Sequence, residues 1–448
     1  MEQTIHPVDE KLPVWKLFVY GLQHVLAMYS GAVAVPLILA GALHLPKEQL
    51  IYIINADLFT CGVATLIQTL SCGVYIGSKL PVMQGCTFAA VTPMVMIGTA
   101  QGGGTAGLQA VYGSVIVAGI VCFIVSSFFS RMLRFFPPLV TGTVITLIGL
   151  SLMPVAVRWV GGGNPSAPDF CDISHIVLSL IVLCVILFFY RAFTGFLSNI
   201  SVLLGLIIGT IFALAKGSVD FSAVGDADWI GITTPFAFGM PIFDPASIVA
   251  MTVVMLVVMA ETTGDIIAVS EIVDKPVSAH VLGNALRADG FSTFLGGLFN
   301  AFPYTAFAQN IGLVSLTGVR SRFVVAMGGI ILIVLGFFPK LAAIVACVPN
   351  SVLGGAGLAM FGMVAASGIK TLSRIDFDAD CNMMVVAISI AMALIPLGVS
   401  NFYAKFPVWA QLILNSGITM GSIVAVFLNI ILNGAQKVEA RIAHRTYL

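Results

Sequence analysis

The chain has 448 residues, of which 59% are hydrophobic and 9% are charged, with a mean hydropathy of +1.06. Ordinary soluble domains are about 25% charged, so this composition excludes a water-soluble globular protein and predicts an integral membrane protein. The 20 basic residues balance the 20 acidic ones, which gives no reason to expect a nucleic-acid partner.

Fourteen apolar stretches are long enough to cross a hydrocarbon layer of ~30 Å. They lie near residues 15–43, 50–73, 80–99, 107–128, 138–158, 174–192, 198–217, 245–270, 280–297, 303–319, 321–338, 349–369, 381–398 and 414–434. Polar residues, glycine and proline interrupt the third and tenth stretches. We therefore expect these two segments to combine half-helices with extended pieces.

The basic residues predict the orientation of this topology. With the N-terminus in the cytoplasm, fifteen of the 20 lysines and arginines lie inside and five lie in outer loops. Because lysine and arginine are enriched in cytoplasmic segments, we expect both termini to be cytoplasmic. The protein is predicted to reside in the inner or plasma membrane.

Two pairs of similar sequence segments indicate an internal duplication. Residues 87–95 (TFAAVTPMV) resemble 306–314 (AFAQNIGLV) at an offset of 219, and residues 137–142 resemble 349–354 at an offset of 212. This divides fourteen spans into seven and seven. Since seven is odd, the second copy would be inverted, and inverted repeats place a substrate site near the bilayer midplane.

The tenth segment carries the strongest signal of a binding site. It reads FPYTAFAQNIGLVSLTGV over residues 302–319, and unpaired polar groups in hydrocarbon cost several kcal/mol. Such a segment favours a cavity lining. The alternative is a helix-packing face of small residues, but the adjacent large amides of Gln309 and Asn310 weigh against it.

Ionisable residues inside membrane spans are functional candidates by default. Glu261 and Asp265 are four residues apart in the eighth span and share one helix face. Two carboxylates in a low dielectric cannot both ionise cheaply, so at least one is expected to carry a proton, although a structural pair is the alternative. Asp289 is a third buried acid, and His24 follows Gln23 in the first span. Asp57 is interpreted as structural.

In the third segment, Phe88 falls where the break is expected. Neighbouring Thr87 and Gln84 favour a ring that faces a cavity, on which a flat ligand could stack. A core aromatic is the alternative. The sequence contains no Walker A loop, no paired metal-ligand spacing and no nucleophile elbow, so we expect no metal and no cofactor.

Taken together, these features resemble the nucleobase–ascorbate transporters, also called nucleobase:cation symporter-2. The family motif is present without a mismatch, as Gln309, Asn310 and Gly312 followed by Thr317 and Gly318. The Gln23–His24 pair and the ETTGD stretch at 261–265 match as well, and the ordering covers nearly the whole chain.

The resemblance implies a uracil-permease-like fold, which is all-α, with a seven-plus-seven inverted repeat, a core bundle and a gate bundle. It also implies a homodimer that works by an elevator movement of core against gate. The implied division is a cytoplasmic tail at 1–14, core at 15–134, gate at 135–244, core at 245–340, gate at 341–434 and a cytoplasmic tail at 435–448.

The resemblance also implies roles for individual residues. Glu261 would accept hydrogen bonds from ring N–H groups, and Gln309 would pair through its amide with a ring carbonyl and N–H. Phe88, with Thr87 beside it, and Ala308 would contact the substrate. The residues of the proton-coupling or site network would be Asp289, His24, Asp265 and Asn310.

The function implied is proton-coupled uptake of an oxidised purine, urate or xanthine. Ile311 and the TFAAVTPM stretch favour urate, whereas Ser270 and Pro276 near the ETTGD stretch resemble xanthine-type relatives. Uracil permeases tend to carry Glu at the first motif position. The sequence also leaves open the transport of another nucleobase, an anion transporter of the same architecture, a membrane-embedded enzyme and a passive channel.

Overall fold

The computed structural model describes residues 6–132, 135–399 and 401–434. The predicted C-terminal tail at 435–448 lies outside these residues, as do residues 1–5 of the N-terminal tail and the core–gate boundary at 133–134. Within the described part the chain is mostly helical, with two short strands.

The helices and strands follow one another as α1 (Val14–Ala42), α2 (Lys47–Leu70), β1 (Gln84–Cys86), α3 (Val91–Ala100), α4 (Gly104–Met132), α5 (Pro138–Val160), α6 (Ile173–Ala192), α7 (Phe196–Asn199), α8 (Ser201–Ala215), α9 (Ser222–Asp226), α10 (Pro245–Ile272), α11 (Ala279–Leu298), β2 (Tyr304–Ala306), α12 (Ala308–Thr317), α13 (Arg322–Leu335), α14 (Pro339–Ala346), α15 (Asn350–Leu372), α16 (Asn382–Gly398), α17 (Val408–Leu414) and α18 (Gly417–Leu428).

Seven helices in the described ranges are long and apolar enough to cross a membrane by themselves, namely α1, α2, α4, α5, α6, α10 and α15. An eighth span results if α13 and α14, which meet at 85°, are counted together. Shorter apolar helices account for other predicted spans. The number fourteen therefore stays a prediction, whereas the multi-pass helical architecture is confirmed.

Long helices of the first half pack against long helices of the second half. The principal pairs are α5 with α15, α4 with α11, and α2 with α13. Glycines permit this close approach, as is common between membrane helices. A Cβ atom on Gly149 would lie 2.4 Å from the Ala365 nitrogen, and one on Gly119 would lie 2.5 Å from the Phe294 nitrogen.

The two strands pair with each other in the interior. They are antiparallel, with Gly85 opposite Thr305. Beyond the strand ends, the Thr87 N–H donates to the Pro303 carbonyl and the Phe307 N–H donates to the Met83 carbonyl, both at 2.9 Å. These bonds satisfy extended backbone that could not otherwise remain at membrane depth. The extended pieces predicted for the third and tenth segments are thus present.

Residues 6–13, the N-terminal strap, are fastened to loops near the ends of α10 and α13. Val8 is fully buried. The Asp9 carboxylate lies 3.1 Å from the Lys275 ammonium and 2.7 Å from Nε of Arg322. The Ser321 hydroxyl donates to the Glu10 carbonyl at 2.6 Å. The strap therefore joins two chain segments that lie on either side of α11, β2 and α12.

Candidate functional site

The strand pair places the starts of two half-helices near the centre of the molecule. β1 continues through Thr87 into a short turn at Phe88–Ala90 and then into α3. β2 continues through Phe307 into α12. Both helices begin beside the strand pair, and helix N-termini carry partial positive charge and unpaired N–H groups. This arrangement suits a polar or anionic ligand.

Thr87 is buried and holds the turn rather than lining open space. Its hydroxyl accepts from the Ala89 N–H at 3.2 Å. The sequence places Thr87 next to the substrate, and the structure shows how it can support Phe88 from that position. Its influence on a ligand would pass through the shape of the turn.

Phe88 is only partly buried, and its ring meets Phe361 of α15 edge to face at 5.8 Å. Phe361 in turn lies 6.5 Å from Trp159 of α5. An aromatic contact thus joins the turn to helices of the α5–α15 pair. Sequence reasoning missed Phe361, because one aromatic in a glycine-rich and alanine-rich helix gives no distinct signal.

The beginning of α12 presents an exposed face. Ala308, Gln309 and Gly312 are exposed, and a Cβ atom on Gly312 would meet nothing within 4 Å. Among the described residues, no side chain or backbone group hydrogen-bonds the Gln309 amide. Its donors and acceptor are therefore free for a ligand.

Asn310 lies on the opposite, buried face of α12. Its amide nitrogen is 2.9 Å from the His24 carbonyl oxygen and 3.2 Å from Nδ1 of the His24 ring. With the amide in this orientation it donates to both, and the ring proton is then on Nε2. This pair fastens the start of α12 to α1.

Glu261 and Asp265 lie one turn apart on α10, and both are partly buried. Glu261 Oε2 and Asp265 Oδ2 are inaccessible and have no hydrogen-bond partner among the described residues. Between them, Gly264 borders open space. Thr262 bonds the Thr305 hydroxyl at 2.9 Å, which ties this turn of α10 to β2.

Asp289 of α11 is fully buried and lies behind the strand pair. The Gln84 amide donates to its Oδ1 at 3.0 Å, and the Gln84 N–H donates to the Thr65 hydroxyl at 3.0 Å. Oδ2 of Asp289 has no partner in the described part of the chain. Gln84 is a second residue that sequence reasoning left out of the site.

The predicted network therefore divides into separate contacts. His24 pairs with Asn310, Asp289 pairs with Gln84, and Asp265 stands beside Glu261 on α10. No direct hydrogen bond joins His24, Asp265 and Asp289 in the described ranges. Nor do these ranges contain a group of three or more His, Cys, Asp or Glu side chains that could hold a metal ion.

Comparison with known proteins identifies the class. A model described as "Permease family" matches residues 15–401. The chain belongs to this family, the nucleobase:cation symporter-2 permeases. It is therefore a multi-pass membrane permease and not an enzyme.

Curated relatives match the permease over almost its whole length. It is 45% identical over 430 residues to the uric acid transporter UacT of Escherichia coli (strain K12), a match that covers 96% of this chain and 88% of that protein. It is 46% identical over 422 residues to the xanthine permease of Bacillus subtilis (strain 168), covering 94% and 95%.

Solved structures match the fold. The transmembrane domain of the cyanobacterium bicarbonate transporter BicA aligns with a TM-score of 0.58 at 14% identity, covering 94% of this chain and 100% of that one. The structure of SLC26A9 aligns with a TM-score of 0.63 at 14% identity, covering 94% and 66%. At these identities the likeness concerns the fold alone.

Proposed function

We propose that the permease imports an oxidised purine, urate or xanthine, together with a proton. The single observation that carries this proposal is that Glu261 and Gln309, on the contacting helices α10 and α12, make no hydrogen bond to another described residue. The free Gln309 amide offers a donor and an acceptor together. The Glu261 carboxylate, which has an oxygen without a partner among the described residues, accepts strongly from N–H groups.

Oxidised purines complement these groups. Their edges alternate carbonyl oxygens with ring N–H groups, which a carboxamide can bind in a bidentate manner while a carboxylate accepts a further N–H. Their flat rings can stack on Phe88. Gln309, rather than a carboxylate, at the first motif position favours a purine over uracil within the family.

The names of the relatives support the same substrate class. UacT is a uric acid transporter and the Bacillus protein is a xanthine permease, with almost equal identity to this chain. Overall similarity therefore does not separate urate from xanthine. Ile311 and Thr87 favour urate, but pocket changes on the scale of one methylene discriminate only ~10–200-fold.

Proton coupling is proposed from the buried acids. Glu261, Asp265 and Asp289 each have one carboxylate oxygen without a partner in the described ranges, where a proton could reside. Intramembrane acids commonly serve as proton relays in transporters. A passive channel would not require them. The coupling ion is proposed to be H⁺, with no cofactor.

The helix contacts support an inverted seven-plus-seven repeat. If α1–α4 correspond to α10–α13, and α5 and α6 to α15 and α16, then the main contacts have counterparts: α4 with α11 matches α13 with α2, and α1 with α13 matches α10 with α4. The α6–α15 and α16–α5 contacts are related in the same way. The antiparallel strand pair is what a two-fold axis between the halves requires.

The same contacts support two bundles. α1–α4 pack with α10–α13 to form the proposed core, and α5–α8 pack with α15–α18 to form the proposed gate. Phe88 of the core touches Phe361 of the gate, so movement of one bundle against the other would open or close the site. We propose an elevator movement in a homodimer in the inner or plasma membrane, with both termini in the cytoplasm.

The recognition scheme is tested by competition for uptake. Cells that express the wild type or Gln309→Glu would be given labelled urate or xanthine with unlabelled purines and uracil as competitors. The scheme predicts that the variant binds purines more weakly or reorders the competitors, because a carboxylate cannot donate. An unchanged order and strength of competition would contradict it.

A further inference from the structure

The buried acids of the permease differ in how completely their oxygens are engaged. Glu261, Asp265 and Asp289 each keep one inaccessible oxygen without a partner among the described residues. Asp57 of α2, which is 1% exposed, has no such unpartnered oxygen. The Tyr304 hydroxyl donates to its Oδ1 at 2.9 Å, and the Cys61 thiol faces its Oδ2 at 3.8 Å.

We propose that Asp57 is a positioning residue for substrate recognition, acting through the bond from Tyr304 that holds the start of β2. This inference rests on the proposed function, in which Gln309 recognises the purine. Asp57 itself touches no substrate. Its Oδ1 accepts from Tyr304 and its Oδ2 faces the Cys61 thiol, whereas the other three acids each keep one inaccessible oxygen without a partner in the described ranges.

Only a few residues separate Tyr304, which is bound to Asp57, from Gln309. Tyr304 is fully buried and is the first residue of β2, opposite Cys86 in the strand register. Three residues later, the Phe307 N–H is bound to the Met83 carbonyl, and α12 begins at the next residue. A shift at the start of β2 would therefore be transmitted to the start of α12.

Tight packing around Phe307 strengthens this link. A Cβ atom on Gly85 would lie 2.4 Å from the Phe307 ring, and one on Gly31 would lie 2.8 Å from it. The ring thus occupies space that two glycines provide. It has little room to absorb a displacement of β2, so the displacement would reach Ala308 and Gln309.

A second hydrogen bond fastens the other strand to a helix. Gln84 of β1 donates to Asp289 of α11, whereas Tyr304 of β2 donates to Asp57 of α2. Each strand is thus fastened to an acid on a helix from the other half of the chain. Asp57 secures the strand that leads to Gln309, and Asp289 secures the strand that leads to Phe88.

The first test compares two buried tyrosines. Tyr304→Phe removes the hydroxyl that binds Asp57, and Tyr112→Phe removes a buried hydroxyl that has no partner among the described residues. For uptake of labelled urate and xanthine, Tyr304→Phe is expected to raise the Michaelis constant about tenfold, as for loss of one hydrogen bond to a charged group. The maximal rate per inserted molecule should be retained.

Tyr112→Phe is expected to leave both constants unchanged. A merely structural role for Tyr304 would lower the amount of inserted protein without moving the Michaelis constant. That result, or equal Michaelis constants for the wild type and both variants, would overturn the proposal.

A second arm does not depend on uptake. Hydrogen exchange is measured on the purified, substrate-free permease in peptides that cover residues 303–310. Tyr304→Phe and Asp57→Ala should speed exchange there, whereas Asp57→Asn, which keeps an acceptor oxygen for Tyr304, should stay close to the wild type. Exchange in Asp57→Asn as fast as in Asp57→Ala, or no change in any variant, would overturn the inference.

The two arms separate the possible failures. A wild type that takes up neither purine would contradict the proposed function, while the exchange arm would still decide whether Asp57 positions β2 and α12. Uptake with an unchanged Michaelis constant in Tyr304→Phe would contradict the positioning role alone.

Discussion

Polar side chains near the strand pair differ in whether they join one element to another, although Gln84 Oε1 and Asn310 Oδ1 also lack a partner among the described residues. Gln84, Asn310 and Tyr304 make direct bonds that join one element to another. Glu261 and Gln309 leave hydrogen-bonding atoms unused by the described part of the chain. Buried polar atoms are normally satisfied, so the unpartnered Glu261 Oε2 points to a ligand, which the exposed Gln309 amide on the neighbouring helix could also bind.

Replacing Glu261 by Gln tests this interpretation at the level of one atom. The substitution keeps the size of the side chain but replaces a carboxylate oxygen with an amide nitrogen that cannot accept. Loss of a charged partner in a desolvated site costs roughly 3 kcal/mol, or about a hundredfold in affinity. Uptake of urate and xanthine should be abolished at micromolar concentrations.

The Glu261→Gln protein should still insert and should melt near the wild-type temperature, because the Glu261 side chain makes no bond to another described residue. Western blotting of membranes and thermal unfolding in detergent provide these controls. Normal accumulation of purine by this variant would remove Glu261 from the recognition scheme.

The motif at residues 309–318 can be found from the sequence because its polar residues are close together and stand out in an apolar chain. The hydrogen-bond partners of the buried acids cannot be found from the sequence. Gln84 and Asp289 are 205 residues apart, and Asp57 and Tyr304 are 247 apart. These contacts depend on how the two strands pack against α2 and α11, which no local sequence pattern encodes. The sequence sets Asp57 apart from the other acids, but it does not identify Tyr304 as its partner.

At the scale of elements, the interrupted segments are predictable and the short helix α14 is not. Proline, glycine and polar residues mark the breaks at β1 and β2. The predicted span at 321–338 contains α13 and stops where the chain bends by 85° into α14, which begins at Pro339. Helix α14 itself lies between the predicted spans 321–338 and 349–369, where the sequence predicts only a loop.

The two motif glycines at α12 are expected to serve different purposes. Gly318 ends the helix with φ +67°, a left-handed conformation that costs an L-residue about 1 kcal/mol. Gly318→Ala should therefore lower the free energy of unfolding by about this amount, measured by denaturation in detergent.

Gly312 is the matched comparison, because it is helical and a Cβ atom there would meet nothing within 4 Å. Gly312→Ala should leave stability unchanged or raise it, since alanine favours helix over glycine. It should nevertheless weaken purine uptake by reducing the open space beside Gln309. If both variants lost stability equally, the distinction between the two glycines would be wrong.

At the scale of the whole molecule, the N-terminal strap holds together two loops of the proposed core, one after α10 and one before α13. Partial burial tends to raise the pKa of Asp9, but hydrogen bonds and charges from Lys275 and Arg322 outweigh burial and hold the pKa below its ordinary value of 3.8. The stabilisation by this carboxylate is therefore fully present above that value and is lost as the pH falls through the lowered pKa.

Because the pKa of Asp9 is lowered, we expect the strap to be released in acid. Hydrogen exchange in peptides covering residues 6–13 should be slow at pH 7 after correction for intrinsic rates, and protection should fall at a pH below about 4. Asp9→Asn should show reduced protection already at pH 7. The control is Glu10→Gln, which removes the same charge from an exposed neighbour whose carboxylate forms no ion pair with the described residues. Equal loss of protection in both variants would contradict a specific role for Asp9.

The central proposal is that the two halves of the chain together form a transporter that couples the movement of a purine to the movement of a proton. The most direct measurement is uptake of labelled urate and xanthine by proteoliposomes containing the purified permease, with an imposed pH gradient that is acidic outside. Glu261→Gln protein serves as the matched control. We predict accumulation of at least one purine above its external concentration, which collapses when a protonophore is added. Equilibration without accumulation, or no uptake of either purine by the wild type, would contradict the claim.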